Sequence, residues 1–220
     1  MLKTIDVQNI ACDGSGVGFA TFNTRFHNKI SVNLPLYELI DKVSLLTVPI
    51  GGIFAVTGLV QWIKRKKLLK VDPNILSLGI FYVLVFASYL LFQIVVINYR
   101  PTLIDGKAEA SYPSSTTMLS LTLFITAIDQ INIYIEDKVL KYFLIAFDVL
   151  FCTFLVIGRI ESGVHWITDI IGGILLLLVI ALCFVINALF INDTESYVNY
   201  TISEHRYPVS FEIKTNNSIF

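Results

Sequence analysis

Residues 75–98 read ILSLGIFYVLVFASYLLFQIVVIN, a run without one charged side chain, opened by the Asp72-Pro73 pair. About 20 mostly apolar residues suffice for a helix to cross the hydrocarbon core of a bilayer, and a helix satisfies its own backbone there. Asp-Pro is a good helix start, because proline at the first helical position has no N–H to leave unpaired. The stretch reads as a membrane-spanning helix.

Working outward, the same criterion finds spans at about 44–63, 116–135, 139–157 and 166–191. The third span of the five is the least apolar, since Asp129, Gln130 and Asn132 fall in its second half. Composition agrees with this reading. Hydrophobic residues make up 55% of the 220 and charged residues 15%, against about 25% charged in soluble domains. The expected fold is all-α, an integral membrane bundle of about five helices joined by short connections. A net charge of -1 gives no nucleic-acid footprint. Cys12, Cys152 and Cys183 are odd in number and read as small hydrophobes, not as a disulfide framework.

Orientation follows from the loop charges. Lys64, Arg65, Lys66, Lys67 and Lys70 lie between the first two spans, and such a cluster stays cytoplasmic. The loops at 100–115 and 159–165 then share the extracytoplasmic face. Residues 1–43 lack the apolar core of a secretory leader; around 19–30 they are expected to form a short helix lying on the outer surface. Residues 44–191 form the membrane domain and 192–220 a polar cytoplasmic tail.

The two outer loops carry the chemistry. One holds Tyr99-Arg100-Pro101 and leads to Tyr112-Pro113-Ser114-Ser115-Thr116-Thr117 at the start of the third span. The other runs from Gly158-Arg159 to His165-Trp166-Ile167-Thr168-Asp169. With a helix beginning near His165, His165 and Asp169 share one face, four residues apart. An aspartate behind a histidine fixes its tautomer and stabilises the imidazolium. Arg100 and Arg159, the hydroxyls of Ser114, Ser115, Thr116 and Thr117, and the free amides of a helix start are all anion binders. Together they define a pocket for a tetrahedral oxyanion such as phosphate. The chemistry that suits it is attack of a histidine nitrogen on phosphorus, then hydrolysis of the phosphohistidine.

These residues resemble the type 2 phosphatidic acid phosphatase superfamily of membrane lipid phosphatases over about residues 44–191. That family has three motifs: Lys, six residues, Arg-Pro; Pro-Ser-Gly-His; and Ser-Arg, five residues, His, three residues, Asp. The third is present here from Arg159 through His165 to Asp169, with Gly158 in place of Ser. The resemblance implies that His165 is the nucleophile, Asp169 its partner, and Arg100 and Arg159 the phosphate clamps. Ser114 and neighbouring amides would complete the cradle, with Ser115 and Thr116 beside it. The first-motif Lys falls at Gln93, and the second-motif Gly and His fall at Ser115 and Thr116. The family's His protonates the leaving group, which a threonine hydroxyl does not do near neutral pH. Lys107, between the first two motifs, is the candidate for the missing charge.

The implied partner is a lipid phosphate or diphosphate in the bilayer, of polyprenyl diphosphate or phosphatidate type, with no cofactor. The alternative is a lipid-phosphate binding or transport protein that kept the pocket and lost turnover. No metal set is seen, because the three histidines lie far apart without an acidic cluster. His27 and His205 have no partners at ligand spacing and are expected to be solvated. Asp129 is expected to reach water, and Asp148 to lie deep and need a polar partner. Gly172-Gly173 permits close helix packing, and Trp62 and Trp166 suit the membrane interface.

Overall fold

The computed structural model of the chain describes residues 3–183 and residue 185. It is all-α apart from one small ladder, in which β1 (Gln8–Asn9) pairs antiparallel with β2 (Gly16–Val17). The helices are α1 (Ala20–His27), α2 (Leu34–Ser44), α3 (Val48–Arg65), α4 (Pro73–Ile94), α5 (Ser115–Tyr134) and α6 (Lys138–Glu161). A further apolar helix, α7, covers Ile167–Cys183. Residues Met1–Ala181 make one compact unit. The boundary expected at residue 43 falls inside α2, and the tail expected at 192–220 lies outside the described residues, as does His205.

Among the described residues, four helical stretches are long and apolar enough to cross a membrane: Leu34–Arg65, Pro73–Ile94, Ser115–Tyr134 and Lys138–Glu161. The first joins α2 to α3 through a 3-10 turn at Leu45–Thr47. The spans expected at 44–63, 75–98, 116–135 and 139–157 each match one of them. The described part of the span expected at 166–191 is α7.

Local sequence sets the helix ends. Asn33 caps α2, its side chain accepting from the Leu36 amide at 3.0 Å, with Pro35 in the first turn. Asp137 caps α6 through the Leu140 amide at 2.7 Å. Lys66 ends α3 in a left-handed conformation (φ 56°). The turn into α4 is held by Asp72, which accepts from Arg65 Nη1 and Gln61 Nε2, each at 2.7 Å.

Packing runs outward from α5, which touches α3, α4 and α6. Its inward face is polar for a membrane helix: Thr117, Ser120, Thr122, Thr126 and Gln130 are buried. Tyr82 Oη of α4 and Thr126 Oγ1 lie 2.7 Å apart, tying α4 to α5. The outer faces of α3, α4 and α6 expose Ile53, Ile63, Val83, Leu91, Phe143 and Leu150.

Several expectations are corrected here. The first apolar span continues back through α2, whose Glu38, Asp41 and Lys42 hid it from a hydropathy criterion. Arg159 is not in a loop but in the last turn of α6. Trp166 is buried by protein, 3% exposed, and packs with Ala11 and Val17. His27 is half-buried, and its ring lies 5.4 Å from that of Trp166. The α1 helix expected on the outer surface is pinned to the start of α7, since Asn23 Nδ2 donates to Thr168 Oγ1 at 2.9 Å. Asp129 is exposed. Asp148 is buried, and its Oδ2 has no hydrogen-bond partner.

Candidate functional site

Three segments far apart in sequence meet around the start of α7. The loop after α4 reaches it first: Asn98 Nδ2 donates to Asp169 Oδ1 at 3.1 Å, and Trp166 Nε1 donates to the Tyr99 carbonyl at 2.9 Å. The segment before α5 follows, its Ser114 amide donating to the Asp169 carbonyl at 3.0 Å. The residues after α6 complete the junction. Here Gly163 turns the chain in a left-handed conformation (φ 66°), and a Cβ there would fall 3.3 Å from the backbone of Ser31 and Val32.

Close approach depends on glycine at two further places. A Cβ on Gly172 would fall 2.1 Å from the Tyr112 ring, and one on Gly173 would fall 3.0 Å from the Ser114 carbonyl. The Gly172-Gly173 pair does permit close packing, and what it admits is the Pro-Ser segment. Gly158, where the resembled family has Ser, faces Ile40 of α2, with a Cβ there only 2.2 Å from the Ile40 side chain. A serine there would force the Ile40 side chain to move.

The two arginines converge. The Arg100 guanidinium lies 5.3 Å from the centre of the Tyr37 ring and that of Arg159 lies 5.0 Å from the same ring, so α2 supplies a shared cation–π platform. Arg159 is 1% exposed and Arg100 9%. Arg159 Nη2 is 2.6 Å from Asp41 Oδ1, and Arg100 Nη2 is 3.0 Å from Glu109 Oε2. The remaining buried donors Arg100 Nε, Arg100 Nη1 and Arg159 Nε have no partner. An unsatisfied buried donor costs about 1–3 kcal/mol, so a cluster of three cationic ones has the chemistry to accept an oxyanion.

Thr116 Oγ1 donates to the same Asp41 Oδ1, at 3.4 Å. That one carboxylate oxygen already sits where an anion oxygen is held by both Arg159 and Thr116. The amides of Ser115, Thr116 and Thr117 precede the first intrahelical bond of α5, made by Met118 to Ser114, and are left for an outside acceptor. The Ser114 hydroxyl, by contrast, is fully buried against Thr117 Oγ1 at 3.0 Å, so it belongs to the wall and not to the cradle.

His165 and Asp169 are both buried, but the expected direct pairing along one helix face is not what forms. The helix begins at Ile167, with His165 ahead of it. His165 Nδ1 and Asp169 Oδ2 are 3.8 Å apart, beyond hydrogen-bond range. Ser111 Oγ stands between them, 3.1 Å from Nδ1 and donating to Asp169 Oδ2. Asp169 Oδ2 also accepts from the Trp166 amide at 3.0 Å, closing a capping arrangement at the helix start.

Burial pushes the His165 pKa down to about 4; the Arg100 and Arg159 charges push the same way, and Asp169 opposes them. His165 is therefore a neutral imidazole at neutral pH, held in the field of both guanidiniums.

The structure thus gathers Arg100, Arg159, His165, Asp169, Ser115 and Thr116 at one end of the bundle. It does not bring in Gln93, exposed on α4, or Lys107, exposed on the hairpin in which Ile104 pairs with Lys107. Tyr37, Asp41, Asn98 and Ser111 were not expected from sequence. The signal for the first two was Asn33-Leu34-Pro35, a capped helix start, followed by Glu38 and Lys42 at i,i+4 spacing. No family model matches this chain, and no curated protein or solved structure matches it either.

Proposed function

We propose that this chain is an integral membrane lipid phosphatase of the type 2 phosphatidic acid phosphatase kind, working through a phosphohistidine on the extracytoplasmic face. The observation that carries the reading is the pair of buried arginines on one tyrosine, with three unpartnered N–H groups, beside a neutral histidine. In this reading α7 is the fifth span, and the lysines at 64–70 mark the cytoplasmic end.

The His165 lone pair attacks phosphorus while the phosphoryl oxygens take the free donors of Arg100 and Arg159. The N–P bond forms, the bond to the leaving oxygen breaks, and that oxygen departs with the electron pair. Water then attacks the phosphohistidine, returns the lone pair to the imidazole and gives up a proton to solvent. Thr116 offers no acid for the first step, and general acid help is typically worth about 10²–10⁴ in rate. A phosphate leaving from a diphosphate needs little such help, whereas a lipid alkoxide needs a proton. A lipid diphosphate is therefore the favoured substrate.

The lipid class is supported by a groove of about 850 Å³ whose lining includes Tyr37, Asp41, Gly52, Phe86, Thr116 and Leu123. It gives an acyl or prenyl chain a place beside a headgroup at the arginines.

The test is phosphate release by purified protein in detergent from matched mono- and diphosphate lipids, with His165→Ala and Thr116→His alongside. Expected are faster diphosphate turnover, no activity in His165→Ala, and a gain on monophosphates in Thr116→His. Equal or faster monophosphate turnover by the wild type would overturn the substrate preference. One observation favours a second reading, a binding or transport protein: Thr116 is engaged with Asp41 where a catalytic acid would stand. Tight lipid binding with no release on any substrate would select it.

A further inference from the structure

We infer that Ser111 is a positioning residue for His165, a hydroxyl relay that transmits the Asp169 carboxylate to the imidazole and fixes which ring nitrogen is free. The inference rests on the proposed role of His165, but the hydrogen-bond logic beneath it stands on geometry alone.

Ser111 is 1% exposed and Asp169 is fully buried, so water does not compete for their bonds. A serine hydroxyl has one proton to give. Asp169 Oδ2 receives it. The oxygen of Ser111 is left as an acceptor, and the group facing it at 3.1 Å is His165 Nδ1. Nδ1 must then carry the hydrogen. A neutral imidazole bears only one, so the lone pair lies on Nε2. Without Ser111, Nδ1 faces a carboxylate oxygen 3.8 Å away, beyond hydrogen-bond range, and only the field of that carboxylate is left to favour a proton on Nδ1.

The delivery of Ser111 is itself built. Its amide donates to the Asn98 carbonyl at 3.0 Å, and the neighbouring Ala110 bridges to Tyr99. The Asn98 side chain holds the other oxygen of Asp169. One loop therefore brings both the relay hydroxyl and the group that orients the carboxylate behind it.

When Nε2 bonds to phosphorus the imidazole becomes a cation. The Nδ1–H to Ser111 to Asp169 chain is then polarised along its length, and hydrogen bonds in such chains strengthen one another. No proton leaves Nδ1 at any stage. Ser111 thus acts on the charged intermediate and on tautomer choice, and not on binding of the lipid.

The test joins kinetics to 15N NMR of the full-length protein in detergent, with the His165 ring assigned by difference against His165→Asn. Wild type is expected to show a protonated Nδ1 and a bare Nε2. In Ser111→Ala the two tautomers mix, kcat falls about 10- to 100-fold, as for loss of other orienting partners, and KM stays within about threefold. Ser111→Thr keeps the hydroxyl and restores both the tautomer and most of kcat.

Unchanged 15N shifts in Ser111→Ala would overturn the relay, as would a folded Ser111→Thr that behaves like the alanine variant. Full activity in His165→Ala would instead overturn the phosphohistidine reading while leaving the tautomer result intact, so the two failures are told apart.

Discussion

Helices α3 and α5 are similar in length and opposite in design. The stretch that contains α3 has a mean hydropathy of 2.0 and only 6% of its apolar window is buried by protein; for α5 the values are 1.2 and 44%. The least hydrophobic candidate span is thus the most central. In a bilayer, lipid offers apolar contact on every side, so greasiness places a helix in the membrane without saying which helices touch. What draws α5 inward is its row of small hydroxyl residues, which pack closely and pair with neighbours such as Tyr82. The proposed site sits at the end of this polar interior and not on the greasy rim.

The largest effect that tests this contrast is at the site. Arg159→Ala removes a 1%-exposed guanidinium and leaves the half-exposed Asp41 with Thr116 alone. It should lower kcat/KM by about 10²–10³, the usual loss for one transition-state donor, in a phosphate-release assay. Ile63→Ala, on the exposed face of α3, should leave the same assay unchanged. Comparable losses from both would erase the distinction between interior and rim.

Much of this was legible beforehand because its signals are local. Spans follow from composition windows, and the Arg159–His165–Asp169 spacing lies within one turn region. The Ser111 bridge was not legible, because it depends on a loop 54 residues earlier in the chain than His165. Nor was α2, because Glu38, Asp41 and Lys42 lower its apolarity while Tyr37 and Ile40 still face the site and Gly158. A helix that is half apolar and half charged looks like a connection until its partner helix is known.

A second test uses pH. Because burial holds the His165 pKa near 4 against an ordinary 6.5, the imidazole stays neutral and nucleophilic throughout that window. The His165-dependent rate should not fall between pH 6.5 and about 5, and should drop about tenfold per unit below 4. Stability has the matching sign. Above 6.5 neither folded nor unfolded chain protonates this residue, so it has no effect. Between 6.5 and 4 only the unfolded chain takes the proton, and folding weakens as pH falls. Thermal midpoints in detergent should show this slope in wild type and less of it in His165→Gln. An equal slope in both would place the histidine in contact with water.

Gly172→Val gives a third, smaller effect. Its side chain would collide with the Tyr112 ring, 2.1 Å from the first added carbon. Overpacking of this sort typically costs about 1–3 kcal/mol. Gly79→Val on α4 has nothing within 4 Å of the new Cβ and should cost far less. Denaturation of the pair in one detergent reads the difference between a glycine the junction requires and one it does not.

The smallest effect examines α5 itself. Tyr82→Phe removes one hydroxyl and with it the 2.7 Å contact to Thr126. Hydrogen bonds between membrane helices average about 0.6 kcal/mol in double-mutant cycles, because the unfolded chain in the membrane also finds partners. Thr126 also donates to its own helix, at Thr122 O (2.9 Å), so the lost partner is partly replaced. A destabilisation of about 0.5 kcal/mol is expected, with Tyr82→Phe and Thr126→Val coupled by about that amount. If the cycle instead gave no coupling, α5 would be central through shape alone, and its hydroxyls would matter for their size and not for their bonds.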